Sequence, residues 1–127
     1  KYLMHGERPR ISRCDGTPIW DFMHVRDMAR AYIALAEHIG EVSGEAFNFG
    51  GGSPISVKEM VLTITRIFSG REIEPEILME PSGELQKTCL DISKARSLLG
   101  WEPQIPLDEG LQETIAWYRE IWDRLGP

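Results

Sequence analysis

Trp20-Asp21-Phe22-Met23-His24-Val25-Arg26-Asp27-Met28-Ala29-Arg30-Ala31 reads as a strand feeding directly into a helix. Its first six residues are aromatic or β-branched in the manner of a strand. Asp27 stands where a helix N-cap belongs. Beyond it Met28, Ala31, Tyr32, Leu35, Ala36 and Ile39 recur at helical spacing, with Gly40 as the stop. A strand coupled to an amphipathic helix predicts an α/β chain.

Toward the C-terminus the same alternation continues. Ala46-Phe47-Asn48-Phe49 is a predicted strand that ends at Gly50-Gly51-Gly52. Ser56 and Glu59 have capping-box spacing, ahead of a helix that carries Val57, Met60, Val61, Ile64, Ile67 and Phe68 and ends near Gly70. Glu74 to Met79 alternates as a strand, and Pro75 places it at a sheet edge or a strand start. Pro81-Ser82-Gly83 is a loop. Asp91 is the predicted N-cap of a helix through Leu99, stopped by Gly100. Pro103 and Pro106 hold an extended connector. A last helix from Leu107 repeats Leu111, Ile115, Tyr118, Trp122 and Leu125, which predicts a strongly buried stripe.

Toward the N-terminus, Arg10 to Arg13 is a predicted strand and Asp15-Gly16 a turn, with Pro18 close behind. Tyr2-Leu3-Met4 before Gly6 has the form of a helix's last turn. With no initiator Met, this sets the expectation of a piece of something longer. There are no repeats and no Gly/Ser linker, and 127 residues amount to about one domain. Residues 1–127 are expected to form a single unit.

Composition excludes several classes. Hydrophobic residues are 42% and charged residues 27%, which is globular and not disordered. The longest apolar run, Ala31 to Ala36, is far below the ~18 residues of a membrane span. Lys1 to Gly6 has neither the h-region nor the cleavage site of a signal peptide. A cytoplasmic chain is therefore expected, with Cys14 and Cys89 as free thiols. Lys plus Arg is 14 against 20 for Asp plus Glu, a net charge of −6, which predicts neither nucleic-acid nor membrane partners. Within the first thirteen residues, however, Lys1, Arg8, Arg10 and Arg13 face only Glu7. This local excess could hold an anion or could be a solvated surface.

No catalytic constellation is complete. Gly50-Gly51-Gly52 lies between a strand and a helix, but Ile55 occupies the place of the last glycine of G-x-G-x-x-G. It reads as a connecting turn. His24 and Asp27 are three apart and could form an acid/base pair. With Asp27 placed as a cap, the expectation is a histidine packed at a boundary. Trp117, Tyr118 and Trp122 are at helical spacing and are expected in the core. There is no serine-hydrolase elbow and no metal-ligand spacing.

Four stretches carry a family resemblance. Cys14-Asp15-Gly16 with Trp20 through Ala31 is similar to the "GDG…RDF-hV-x-D-hA-A" segment of extended short-chain dehydrogenases/reductases. Gly44-Glu45-Ala46-Phe47-Asn48-Phe49-Gly50-Gly51-Gly52, with Pro54, Ser56 and Val57, resembles their "GE-x-[FY]N-[IF]G-x-G" segment. Gly83-Glu84, then Leu90 to Arg96 and Leu98-Leu99-Gly100-Trp101-Glu102-Pro103, resembles their "SKA-x-x-LGW-x-P" tail. Leu107 to Ile115 with Trp117-Tyr118 resembles their closing "EGLxxT…WY" helix. The four occur in family order along nearly the whole chain. The family is that of the NAD-dependent nucleotide-sugar epimerases and 4,6-dehydratases, here nearest the CDP-glucose or GDP-mannose 4,6-dehydratase branches.

The resemblance implies an α/β fold: the C-terminal, substrate-binding part of a Rossmann-type enzyme, with short strands and four or so helices. The N-terminal NAD-binding half is absent. In the family, hydride leaves the sugar C4 for NAD(P), and a keto intermediate is then dehydrated or re-reduced. The Tyr-x-x-x-Lys pair of that chemistry is missing, because Tyr2, Tyr32 and Tyr118 are followed four residues on by Gly6, Ala36 and Trp122. No catalytic residue is therefore expected in this chain, and NAD(P) is implied by the family without a motif to hold it. Glu84 matches the acidic residue that binds the ribose, and Arg13 lies in the segment that contacts the base. Trp20 replaces the Arg of "RDF" that clamps the diphosphate, and Pro81 replaces a second phosphate Arg. Two lost guanidinium–phosphate contacts cost about 1.5–3 kcal/mol each. The implied partners are a nucleotide-sugar and further copies of the chain. The alternative is a stand-alone, non-enzymatic binding or oligomerisation module of the same descent.

Overall fold

Trp101 is the centre on which the chain closes. The computed structural model describes residues 2–12, 14–78 and 85–125. In it Trp101 is buried with Ala31, Val42, Ile92, Ala95 and Leu99, and meets Phe49 edge-on with ring centroids 4.8 Å apart. The described residues form four two-residue strands and five α-helices, so the expected α/β class holds. The strands are β1 (Arg10–Ile11), β2 (Ile19–Trp20), β3 (Ile55–Ser56) and β4 (Glu76–Ile77). The helices are α1 (Val25–Glu37), α2 (Ile39–Val42), α3 (Val57–Ser69), α4 (Ser93–Leu99) and α5 (Leu107–Leu125). A single 3-10 turn at Tyr2–His5 precedes them and closes at Gly6, as expected of a helical end.

The strands make two small sheets. β1 runs parallel to β4, pairing Arg10 with Glu76 and Ile11 with Ile77. β2 runs antiparallel to β3, pairing Ile19 with Ser56 and Trp20 with Ile55. The strand expected from Trp20 to Val25 is thus cut short. Its partner ends where Ser56 turns into α3, and without a partner the ladder stops. Ala46 to Phe49 has no ladder partner among the described residues either. It runs as irregular chain, with Phe47 and Phe49 leaning on the core.

α3 forms as its sequence dictates. The Ser56 hydroxyl accepts from the Glu59 N–H at 3.1 Å, while the Ser56 N–H donates to the Glu59 carboxylate at 2.9 Å. Gly70 ends the helix at φ +75°, a conformation that a side chain would strain. Buried Thr65 then ties the following turn back: its hydroxyl donates to the Leu62 carbonyl and accepts from the Ile73 N–H. Asp91 is not the N-cap of α4 as expected: Ile92 holds that position, and the Asp91 carboxylate, one residue earlier, accepts from the Ser93 N–H and hydroxyl at 2.9 and 2.6 Å.

Three expectations about α1 are corrected. Asp27 is not its cap. His24 is, accepting from the Arg26 N–H, and the helix begins at Val25. Asp27 lies in the first turn and is fully buried. Its apolar stripe is also rotated from the expected one. Met28, Ala31, Ala34 and Leu35 face the core, whereas Tyr32, Ala36 and Ile39 are exposed. Gly40 falls inside α2 and stops nothing, because His38 already closes α1 by donating to the Ala34 carbonyl. The strong stripe expected on α5 is weaker than its periodicity. Leu111, Ile115 and Trp122 are half-buried, and Tyr118 is exposed.

Candidate functional site

Arg13 and Glu84 lie outside the described residues, as does Pro81. Trp20 is described. It is half-buried in β2, its ring tilted against Phe22 with centroids 6.0 Å apart. The contact places Trp20 and Phe22 on one side of the segment and leaves Asp21 on the other, the period-two alternation of extended chain.

Asp21 points into the glycine turn. A Cβ on Gly50 would overlap the Asp21 carboxylate, and one on Gly51 would overlap the Phe22 carbonyl. The glycines therefore exist so that residues 21–22 can press against residues 50–51. Asp21 Oδ1 is buried there without a hydrogen-bond partner among the described residues. A carboxylate in that position repels a pyrophosphate. The N-terminus of α3 is likewise filled by the Glu59 carboxylate. This turn does not fit a dinucleotide, which agrees with its reading as a connection.

Of the basic excess near the N-terminus, Arg8 and Arg10 lie among the described residues, and the fold engages both. Arg8 donates to the Glu74 and Pro75 carbonyls, and Arg10 pairs with Glu76 at 3.0 Å. Both pin β1 to β4. Lys58 pairs with Glu74 on the same flank at 3.0 Å.

What the chain does build is a groove of about 720 Å³ between the start of α1, α3 and α5. Met60 and Ile64 of α3 line it opposite Leu111, Trp117 and Tyr118 of α5, and Met23 and His24 close one end. Trp117 and Tyr118 meet edge-on at 4.9 Å and are each 56% exposed, not in the core as their spacing suggests. Adjacent helical residues diverge by about 100°, so both cannot face one core. His24 is the polar centre of the groove. Its ring is 11% exposed and rests on Gly110, where a Cβ would lie 2.9 Å from Cδ2. Nδ1 caps α1 and Nε2 faces the Glu113 carboxylate at 3.8 Å. Arg26 also pairs with Glu113. The signal for this contact was a glycine inside the α5 periodicity, since helices place glycine where another group comes close.

Chemically the groove offers apolar and aromatic surface with one His–Glu–Arg chain. It holds no activated nucleophile. No group of three or more His, Cys, Asp or Glu side chains suited to a metal occurs among the described residues. Cys14 is half-buried and Cys89 exposed, both free. No described helix is long and apolar enough to cross a membrane. Several exposed carboxyls titrate below their usual range: Asp15 through the Thr17 hydroxyl, Glu45 through Lys94, Glu59 through the Ser56 N–H and Asp91 through the Ser93 hydroxyl.

Comparison with known proteins places this geometry. Residues 2–114 match the family described as GDP-mannose 4,6 dehydratase. The chain is 36% identical over 118 residues to a UDP-glucuronate 4-epimerase of Thermodesulfobacterium geofontis, covering 92% of this chain and 35% of the relative. Its structure is similar to the UDP-glucose 4-epimerase of Thermotoga maritima solved with UDP-glucose (TM-score 0.81, 32% identity), covering 94% of this chain and 37% of that one. It is also similar to the UDP-glucuronic acid 4-epimerase of Bacillus cereus solved with UDP-glucuronic acid and NAD (TM-score 0.82, 28% identity), again covering 94% and 37%. The chain thus spans about a third of the length of the relatives it matches.

Proposed function

Because this chain belongs to the family of GDP-mannose 4,6-dehydratase and the NAD-dependent nucleotide-sugar epimerases, we propose that it is the substrate-binding portion of such a 4,6-dehydratase or epimerase. The observation that carries the reading is the match along nearly the whole chain to only about a third of each relative. As it stands the chain is catalytically incomplete. It has no Tyr-x-x-x-Lys, and its only glycine-rich turn is closed by its own Asp21 and Phe22. NAD is the cofactor named with the similar Bacillus cereus enzyme. The residues here do not fit it, so the chain's contribution is confined to the sugar nucleotide.

Glu84 accepts hydrogen bonds from the ribose hydroxyls, Arg13 contacts the base, and Trp20 offers an aromatic face in place of a guanidinium. The chain works in the reducing cytoplasm, where Cys14 and Cys89 stay thiols, and it associates with further copies of itself.

Isothermal titration with UDP-glucose, UDP-glucuronate, GDP-mannose and NAD tests this. One of the three sugar nucleotides is expected to bind in the millimolar range, and NAD not to bind. Glu84→Gln is expected to weaken the sugar nucleotide about tenfold or more, the loss of a charged hydrogen bond. Micromolar NAD affinity, or sugar-nucleotide binding indifferent to Glu84→Gln, overturns the assignment.

A further inference from the structure

We propose that the groove between α3 and α5 is a binding site for a neutral aromatic alcohol, a phenol whose hydroxyl bridges His24 and Glu113. The proposal stands apart from the sugar-nucleotide reading and uses none of its residues.

The polar end of the groove is one hydrogen bond short. His24 Nδ1 accepts from the Arg26 N–H, which assigns the ring's proton to Nε2. That N–H faces Glu113 Oε2 at 3.8 Å, beyond hydrogen-bond reach. Arg26 holds the other carboxylate oxygen, Oε1, and no further partner of Nε2 or Oε2 occurs among the described residues. A donor and an acceptor side by side suit a group that is both, and a hydroxyl is the smallest such group. With a bond of about 2.9 Å from Nε2 and one of about 2.7 Å to Oε2, its oxygen closes a triangle on the 3.8 Å side, beside the pair and not between them. The His24 ring is 11% exposed, so its unmade bond is costly.

The rest of the groove selects what carries the hydroxyl. Met60 and Ile64 face Leu111 across it, and all three are apolar. Trp117 and Tyr118 stand at 81° to each other, so they offer a face and an edge to a third ring. Charge selects against ions. Arg26 already neutralises Glu113, a carboxylate or phosphate would meet Oε2, and an ammonium would meet the Nε2–H. A free sugar would strand its remaining hydroxyls against Met60 and Leu111. The volume of about 720 Å³ is that of a small-molecule site.

Ligand-observed NMR titration of the full chain tests this with 4-propylphenol, its methyl ether and 4-propyltoluene. The phenol is expected to bind with a Kd below about 1 mM, ordinary for so few atoms. The ether accepts a hydrogen bond but donates none, and is expected to bind about tenfold more weakly, the loss of one bond to a charged acceptor. Trp117→Ala is expected to weaken the phenol about fivefold, the loss of an aromatic contact, with helical content unchanged because the side chain is exposed. Should that variant fail to fold, the comparison of phenol with ether on the parent chain still decides the bridge. Millimolar UDP-glucose is expected to leave the phenol bound. A parent chain that binds no probe overturns the proposal and leaves the groove to another segment of protein. Equal affinity for phenol and ether overturns the His24–Glu113 bridge. Phenol binding that is indifferent to Trp117→Ala, or displaced by UDP-glucose, lies elsewhere on the chain and overturns the site.

Discussion

The corner around Asp27 and the groove between α3 and α5 are built from the same kinds of element, yet they treat solvent oppositely. At the corner, Asp27 accepts from the Gln104 and Ile105 N–H groups at 3.1 Å each and pairs with Arg30, while its carbonyl accepts from Trp101 Nε1 at 3.2 Å. One buried carboxylate thus fastens the Pro103–Pro106 connector to α1, and the connector lays Trp101 over Ala31. In the groove, Trp117 and Tyr118 also supply apolar surface, but no segment among the described residues covers them, and they stay exposed. The lesson is that periodicity offers a face, and burial follows only where a second segment is held against it.

The largest effect is expected at the corner. Asp27→Ala leaves two part-buried amides and Arg30 without their acceptor, and should cost about 2–4 kcal/mol, read as the denaturant midpoint. A loss below about 1 kcal/mol, the net worth of one ordinary hydrogen bond, would break the comparison. Gly51→Ala comes next. Its Cβ meets the Phe22 carbonyl, a backbone atom with little room to move, so overpacking of about 1–3 kcal/mol is expected in the same assay. Ser56→Ala removes one half of the α3 capping box and should cost about 1 kcal/mol. At the other extreme, Trp117→Ala should change stability by less than about 0.5 kcal/mol. A core tryptophan would cost about 3–5 kcal/mol, so thermal melts of this variant sharpen the contrast directly.

Acid provides a further check. Asp15, Glu59 and Asp91 are all held below the ordinary carboxylate values of 3.8 and 4.5 by hydrogen bonds made in the folded chain. Each contributes stability that is fully present above its unfolded value and is lost as the pH falls through the lowered one. Denaturant midpoints should therefore hold from neutral pH down to about 5 and decline below it. Glu59→Gln should start lower at neutral pH and decline less on acidification. An equal acid decline in parent and variant would show that the capping box does not contribute to it.

Local chemistry was legible and partners were not. Ser56 with Glu59, Gly70 and Gly100 behave as their residue types require, since each acts within one turn of chain. The family motifs likewise read directly from the residues. Asp27 was legible as a residue that matters and misread in its role. Asp ahead of an apolar run is the signature of a cap, and the amides it serves lie 77 and 78 residues away. His24 then took the capping position because it precedes the helix and carries an acceptor nitrogen.

Trp20 remains placed as expected in a strand, while the four-residue strand at Ala46–Phe49 does not form among the described residues. A strand is a relation between two segments, and sequence records only one of them. The same reason governs α1 and α5. Their 3.6-residue periods specify that apolar faces exist. Which face turns inward depends on where Trp101, the connector and α3 come to rest, because burial is set by what packs across the gap. Helix starts and stops, the capping box and the glycine ends were thus decided within the chain's own local bonds. The inward side of α1, the choice of His24 as the group that meets Gly110 and the openness of the α3–α5 groove were decided by tertiary packing, because each depends on segments far apart in the chain.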